Sequence, residues 1–320
     1  MSIPLDKLTD LAINTSNPSK SIAFPGPVKV EGTPLEQLCI ALAKECKETQ
    51  TDYDEFTHEH DGMFFRGHWD RSVVDGHWVR LRKQRGDPPN LDALPSPLPV
   101  QIIDLLLAPE LSPGGLVLVM GAPGSGKTTT ASATVVSRLI KYGGLAYTVE
   151  DPPEHPLNGW HGHGYCAQTS VIGADKDAEA WAKSLKGALR SQPAATPSIL
   201  FVGEIREKGA AEVALQAAGN GFLVIATAFG ADIPSGLDDF AKKVGPEKNL
   251  LLASRFRMAL HMRLMGEIPQ VQVLVSTENS SLAAMIRGGK LAQLESELNV
   301  QRNHLRMGLN LWRPEQLHVA

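Results

Sequence analysis

Residues 115–130, GLVLVMGAPGSGKTTT, constrain the fold more than any other stretch. GLVLVMG is a continuous apolar run, the pattern of a strand buried on both faces. The residues after it match G-x-x-x-x-G-K-[ST], and the spacing beyond predicts a helix over about 126–142 that ends at Gly143-Gly144. Strand, glycine loop and helix in that order make a phosphate cradle. Gly121, Ala122, Pro123, Gly124, Ser125 and Gly126 can turn successive amides inward around a β-phosphate. The helix N-terminus adds the positive end of its dipole. Lys127 reaches the β- and γ-phosphates, and the Thr128 hydroxyl, with Thr129 beside it, faces the metal side. ATP with Mg²⁺ is the expected occupant. A chance glycine turn would not need a strand and a helix on either side.

Downstream, apolar runs alternate with helical patterns. LAYTV (145–149), ILFVG (199–203), FLVIATA (222–228) and VQVLVST (271–277) read as strands. AEAWAKSLKGALRSQ (178–192), AAEVALQAAG (210–219) and LLASRFRMALHMRLM (251–265) read as helices, and residues 279–311 as a helical tail. The alternation predicts an α/β fold with a parallel sheet covered on both faces. Such a sheet delivers residues from the C-terminal ends of its strands to one ligand edge. Two acidic groups qualify: Glu204, after ILFVG, and Glu150, Asp151 and Glu154, after LAYTV. A glutamate there can hold Mg²⁺ through its water shell, or take a proton from an attacking water. The alternative is a helix cap or a solvated carboxylate. Gly203 is expected to let the backbone pass close to the nucleotide.

Upstream, residues 1–30 are polar and punctuated by proline, the composition of a loosely ordered terminus. TPLEQLCIALAKECKE (33–48) predicts a helix with Thr33 as N-cap and Pro34 at its first position. FFRGHWDRS and GHWVRLRKQR predict antiparallel strands around an Asp75-Gly76 turn. The prolines of Lys83 to Pro99 mark a joint. The expected division is a loose segment 1–30, an α+β domain 31–95 and an α/β domain 96–320. Apolar residues make up 42% of the 320, enough for that core. The formal net charge of -4 supplies no global basic field, so no direct nucleic-acid partner is expected. Three cysteines without a C-x-x-C argue against a disulfide framework or zinc ribbon. The N-terminus lacks a secretory pattern, and no run approaches the roughly 18 apolar residues of a membrane span. His155, His161, His163 and Cys166 crowd one loop, where a solvated, glycine-flexed loop stands against a zinc site that lacks a fourth ligand. Arg255, Arg257 and Arg263 would lie on one helix, as a subunit-facing or solvated face.

GAPGSGKTTT, VEDPPEHP, ALRSQPAATPSILFVGEIRE and ALQAAGNGFLVIATA, in that order, resemble the motor ATPases of type II and type IV secretion and of type IV pili (the GspE/PulE-type superfamily). The similarity runs over about residues 60–310 and is strongest in the core. The nearest shapes are the short PilT-like retraction ATPases and the DotB-like type IVB secretion ATPases. Assembly-type relatives carry a four-cysteine zinc insert that three scattered cysteines cannot build. The resemblance implies a RecA-like P-loop NTPase domain preceded by a PAS-like α+β domain. It also implies a homo-hexameric ring at the cytoplasmic side of the inner membrane, peripheral to it and docked on a platform protein. In it Glu204 is the Walker B glutamate, Glu150, Asp151 and Glu154 form the "Asp box", and Thr128, Glu204 and Asp151 stand toward Mg²⁺. An arginine of the N-terminal domain completes the site, with Arg80 placed first and then Arg66 and Arg82. Arginine's fixed fork suits a γ-phosphate, and a solvated strand arginine is the alternative.

One position departs from the family. Its "His box" ends the strand after Walker B with a threonine-leucine-histidine-threonine run, whereas FLVIATAFGAD keeps Thr227 and places Phe229 at the histidine. A phenyl ring cannot hydrogen-bond a γ-phosphate. His261, read as part of the 251–265 helix, is a weak substitute beside its reading as an ordinary helix histidine. Two functions therefore stand: an ATP-hydrolysing motor, and an ATP-binding assembly factor of the same machine with weak hydrolysis. A nucleic-acid motor ranks behind both. Pilus retraction, pilus assembly, conjugation and type IVB secretion are not separated by the residues.

Overall fold

A computed structural model describes residues 3–49, 54–71, 73–84, 86, 90–171, 178–191, 193–266, 268–277 and 280–313. The chain divides into two compact units, Met1–Asp87 with Pro152–Pro156 and Gly173–Asp175, and the remainder from Pro88 onward.

The first unit is a six-stranded antiparallel sheet with one long helix. The strands are β1 (Asp10–Asn14), β2 (Ile22–Phe24) and β3 (Val28–Lys29), then, after α1 (Pro34–Glu48), β4 (Glu55–His60), β5 (Met63–Asp70) and β6 (Trp78–Lys83), in the order β3-β2-β1-β6-β5-β4. Residues 1–30, expected to be loose, instead supply half of these strands. The reason is pairing: β1 runs antiparallel to β6 from Asp10↔Arg82 to Asn14↔Trp78, and buries Leu11 and Ile13. Five residues of alternation are too short to stand out in a polar context. Leu11, Ile13, Phe65, Val79 and Leu81 form the core with Leu42, Cys39 and Cys46 of α1. Thr33 is the N-cap residue of α1 but its side chain does not cap; its hydroxyl donates to Val30 O at 2.7 Å. Gln84 holds the segment Pro152–Pro156 to this unit by donating from Nε2 to Pro153 O.

The second unit holds α2 (Val100–Leu106), β7 (Gly115–Gly121), α3 (Lys127–Tyr142), β8 (Gly144–Glu150), β9 (Gly159–His161), β10 (Gly164–Ser170), α4 (Ala178–Arg190), β11 (Ser198–Val202), α5 (Lys208–Gly219), β12 (Leu223–Ala228), α6 (Ile233–Val244), α7 (Asn249–Arg255), β13 (Phe256–Met265), β14 (Ile268–Val275), α8 (Ser281–Arg287) and α9 (Leu294–Arg306). Its sheet has the order β14-β13-β7-β12-β11-β8-β10-β9. β13, β7, β12, β11, β8 and β10 are mutually parallel, with antiparallel β14 and β9 at the edges. Leu116, Leu118 and Met120 of β7 pack toward α5 and α6, and Val117 and Val119 pack toward α2 and α3. β7 is therefore apolar or glycine at every position, as its sequence requires.

Two expectations fail here. Residues 251–265 are not one helix, because α7 stops at Arg255 and the chain continues as β13 between β7 and β14. Its Met, Leu, Ala and Arg favour a helix intrinsically, but seven consecutive buried positions, Phe256 to Met262, fit a central strand. Arg255, Arg257 and Arg263 accordingly share no helix face. The loop with the clustered histidines is also more regular than expected. β9 and β10 form a hairpin whose second strand pairs parallel to β8. The expected helix over 178–192 reaches Arg190, and Gln192 lies outside the described residues, as does Asn279 at the start of the expected helical tail.

Candidate functional site

β7 ends at Gly121 and α3 starts at Lys127. Gly121, Gly124 and Gly126 have φ of 147°, 77° and 88°. A β-carbon on Gly121 would also stand 2.4 Å from Met262 O and 2.7 Å from Ser125 Oγ, so both backbone shape and packing demand glycine there. Gly126, left-handed, is the N-cap of α3, and the first amides of the helix have no intrahelical acceptor. Ser125 N donates to Ala122 O at 3.2 Å and closes the turn. Lys127 is buried and donates from Nζ to Ala122 O at 3.0 Å. Thr128 and Thr129 are half-buried in the first helical turn. Ser125 Oγ is buried and has no hydrogen-bond partner among the described residues. A buried hydroxyl left unpaired costs about 1–3 kcal/mol. A loop with that orphan, a buried ammonium and helix amides that lack intrahelical acceptors fits a polyphosphate, and the Thr128 hydroxyl fits the oxygen-loving Mg²⁺ that accompanies one.

The parallel arrangement puts the C-terminal ends of β8, β11, β12 and β13 on the edge where β7 opens into this loop. Glu150, last residue of β8, is 1% exposed. Its Oε1 accepts from Gln168 Nε2 at 2.8 Å, and Gln168 Oε1 in turn accepts from Leu157 N at 2.9 Å. Gln168 thus sets the orientation of Glu150. Sequence reasoning missed it, because β10 shows no strand signal of its own. Gly203 N donates to Val149 O at 3.0 Å, and a β-carbon on Gly203 would stand 3.1 Å from Glu150 Cγ. Gly203 therefore makes room for the neighbouring Glu150. Glu204 is half-buried, and Arg206 Nε donates to its Oε2 at 2.5 Å. Asp151 is half-buried one residue past β8. Thr227 Oγ1 donates to Gly203 O and Ile205 N donates to Thr227 O at 2.8 Å, which locks the ends of β11 and β12 together.

Phe229 follows β12 and is 60% exposed. His261 is a buried strand residue of β13, not a helix histidine. Burial lowers its pKa, and its Nε2 donates to Gly230 O at 3.2 Å. Cys166 is buried in β10, where desolvation pushes its thiol up to about 12, and His161 Nε2 donates to Leu157 O at 2.8 Å. Among the described residues no group of three His, Cys, Asp or Glu side chains could hold a metal ion.

The other predicted site residues belong to the first unit. Glu154 is exposed in the segment Pro152–Pro156. Arg80 Nη2 lies 3.0 Å from Asp70 Oδ2, Arg82 Nε 2.8 Å from Asp10 Oδ1, and Arg66 Nη2 3.8 Å from Glu55 Oε1. The three arginines, with His68 and Phe24, line an open cavity of about 660 Å³ on the sheet face opposite α1. The structure thus gathers residues 121–129, Glu150, Asp151 and Glu204 on one edge, and carries Glu154 and Arg80 on the other unit.

The family model "Type II/IV secretion system protein" matches residues 79–266. A type II secretion system protein E of Klebsiella pneumoniae is 37% identical over 155 residues, 48% of this chain and 28% of that protein. The chain thus spans less than a third of that relative's length. Among solved structures, the pilus retraction motor PilT with bound ADP superposes with a TM-score of 0.69 at 21% identity, over 92% of this chain and 86% of that one. The Legionella pneumophila ATPase DotB gives 0.66 at 19% identity, over 94% and 84%. At those identities the likeness is one of fold, a mixed α/β fold shared by all three.

Proposed function

The chain belongs to the type II/IV secretion system protein family, and from that premise we propose that it is an ATP-hydrolysing motor of a type IV pilus or type IV secretion machine. The carrying observation is the glycine-shaped loop with buried Lys127 and orphaned Ser125 Oγ, on the same sheet edge as Glu150 and Glu204. In this reading the second unit is a RecA-like P-loop domain and the first a PAS-like domain. Six copies form a ring at the cytoplasmic face of the inner membrane, docked on a platform protein.

ATP is the substrate. The loop amides and Lys127 hold its phosphates, and Thr128 presents a hydroxyl oxygen to the magnesium side. Thr128, Glu204 and Asp151 would hold magnesium with the nucleotide, and it would supply charge that offsets the phosphates. Glu204 and Asp151 orient the water shell on that side. A water oxygen bonds to the γ-phosphorus while the bond to the β–γ bridging oxygen breaks, giving ADP and phosphate. Glu204, Glu150 or Glu154 takes the water's proton. Arg80, released from Asp70, would add a fixed fork to the γ-phosphate. Calorimetry with Mg-ATP and steady-state phosphate release test the reading. Binding with turnover is expected, and no heat of binding by folded protein overturns it.

Phe229 favours a second reading, an assembly factor that binds ATP and hydrolyses it weakly. Exposed at the end of β12, it offers no hydrogen bond where the family has histidine. Tight ATP binding with background turnover that Phe229→His does not raise would select this reading.

A further inference from the structure

The segment after β12 does not stay beside its own strand. β12 and β13 flank β7 on opposite sides. His261 Nε2 donates to Gly230 O at 3.2 Å, and Arg263 Nη2 donates to Ala231 O at 3.1 Å, both from β13. Residues 229–232 must therefore cross the C-terminal end of β7, two strand spacings or about 10 Å, to reach those donors. The end they cross is the root of the phosphate loop: His261 is in register with Met120 and Met262 with Gly121. The crossing is close-packed. A β-carbon on Gly230 would stand 3.1 Å from Gly236 Cα, and one on Gly236 would stand 2.6 Å from Met120 Sδ. Gly230 thus lies on Gly236, and Gly236 on Met120, the residue before the cradle. Asp232 closes the segment with a capping box to Ser235 at the start of α6.

We propose that His261 and Arg263 are positioning residues that fix the strap 229–232 across the root of the phosphate loop, and so set where Phe229 stands when a nucleoside triphosphate is bound. The inference rests on the nucleotide reading above. It gives His261 a different part from γ-phosphate contact: its hydrogen is committed to Gly230 O, because a carbonyl only accepts. It also explains how a chain with phenylalanine in place of the family histidine keeps an ordered segment there. The order comes from two donors on β13 and two glycines, not from a bond to phosphate. Arg263 is exposed, so removing it opens no core cavity, whereas His261 is buried and its loss could disturb the fold.

Arg263→Ala, Arg263→Lys, His261→Ala and His261→Asn test it in the full chain, with Mg-ATP and Mg-ADP as probes. Hydrogen exchange of residues 228–236 in nucleotide-free protein reads the strap directly, and Arg263→Ala is expected to speed it. Both alanine variants are expected to lower kcat roughly tenfold or more, the scale of a small misplacement, with KM and ADP affinity held within about twofold. Lysine at 263 and asparagine at 261, which keep an N–H donor, are expected to recover part of the rate. Unchanged exchange and unchanged kcat in Arg263→Ala overturn the strap while a wild type that binds and turns over Mg-ATP leaves the nucleotide reading standing. A wild type that binds no Mg-ATP overturns that reading and the strap's role with it.

Discussion

The parallel sheet's ligand edge and the open face of the antiparallel sheet hold charge in opposite ways. At the first, the charged groups are few and shielded, and their places are set by backbone. Lys127 and Glu150 are buried, glycines at 121 and 203 give way to Met262 O and Glu150, and Gln168 fixes the carboxylate. At the second, three arginines stand in solvent, each beside an acid: Arg80 with Asp70, Arg82 with Asp10, Arg66 with Glu55. Buried charges need partners held in place, so that edge is preorganised. Exposed pairs contribute about 0–1 kcal/mol and exchange partners readily. An arginine of that face can leave its acid for a phosphate at small cost, and the ligand edge cannot rearrange without disturbing the core.

Substitutions can break or sharpen this contrast. The largest effect is expected at Lys127: Lys127→Ala lowers phosphate release by about 10²–10³-fold or to background, and near-normal turnover would remove the cradle from the chemistry. Glu204→Gln keeps the shape and loses the charge. It is expected to retain ATP binding by calorimetry while hydrolysis falls about 10²-fold or more. Gly203→Ala tests preorganisation alone, since a methyl must displace Glu150. A destabilisation of about 1–3 kcal/mol in thermal or denaturant unfolding is expected, and a neutral result would mean Glu150 is free to move.

The smaller effects concern surface groups. Asp232→Ala removes the cap of α6 and is expected to cost about 1 kcal/mol. Hydrogen bonds from the Ser235 side chain and amide hold the Asp232 carboxyl below its ordinary value. A carboxyl lowered in the folded state stabilises above its unfolded pKa, about 3.9, and loses that contribution as pH falls through the lowered folded value. The melting difference between wild type and Asp232→Ala should therefore be full at neutral pH and shrink only below about pH 4. Smallest of all, Arg80→Ala is expected to change stability by less than about 0.5 kcal/mol. A loss above about 2 kcal/mol would show that the arginine face is as rigid as the ligand edge and end the contrast.

The cradle was legible in the sequence because it is local. Five contiguous residues between a strand and a helix, Ala122 to Gly126, create it, and nothing distant is needed to specify it. The central strands were legible because burial on both faces leaves an unbroken apolar run. Arg80 and Glu154 could be named from position, but their sequence neighbourhood says nothing about what they meet. The same holds for the first strands: DLAIN reads as polar terminus until Leu11 and Ile13 pack with Cys39, Leu42 and Cys46 of α1.

What this sequence fixed by itself was a glycine loop on a buried strand end, in a parallel α/β sheet, with acids at the ends of neighbouring strands. Tertiary structure alone decided that Phe256 to Met265 is a strand, that Gly203 yields to Glu150, that Gln168 holds that carboxylate, and that His261 and Arg263 grip the segment crossing β7. Each of those outcomes depends on groups tens of residues away in the chain. A residue's own propensity cannot report a neighbour that only the folded sheet brings beside it.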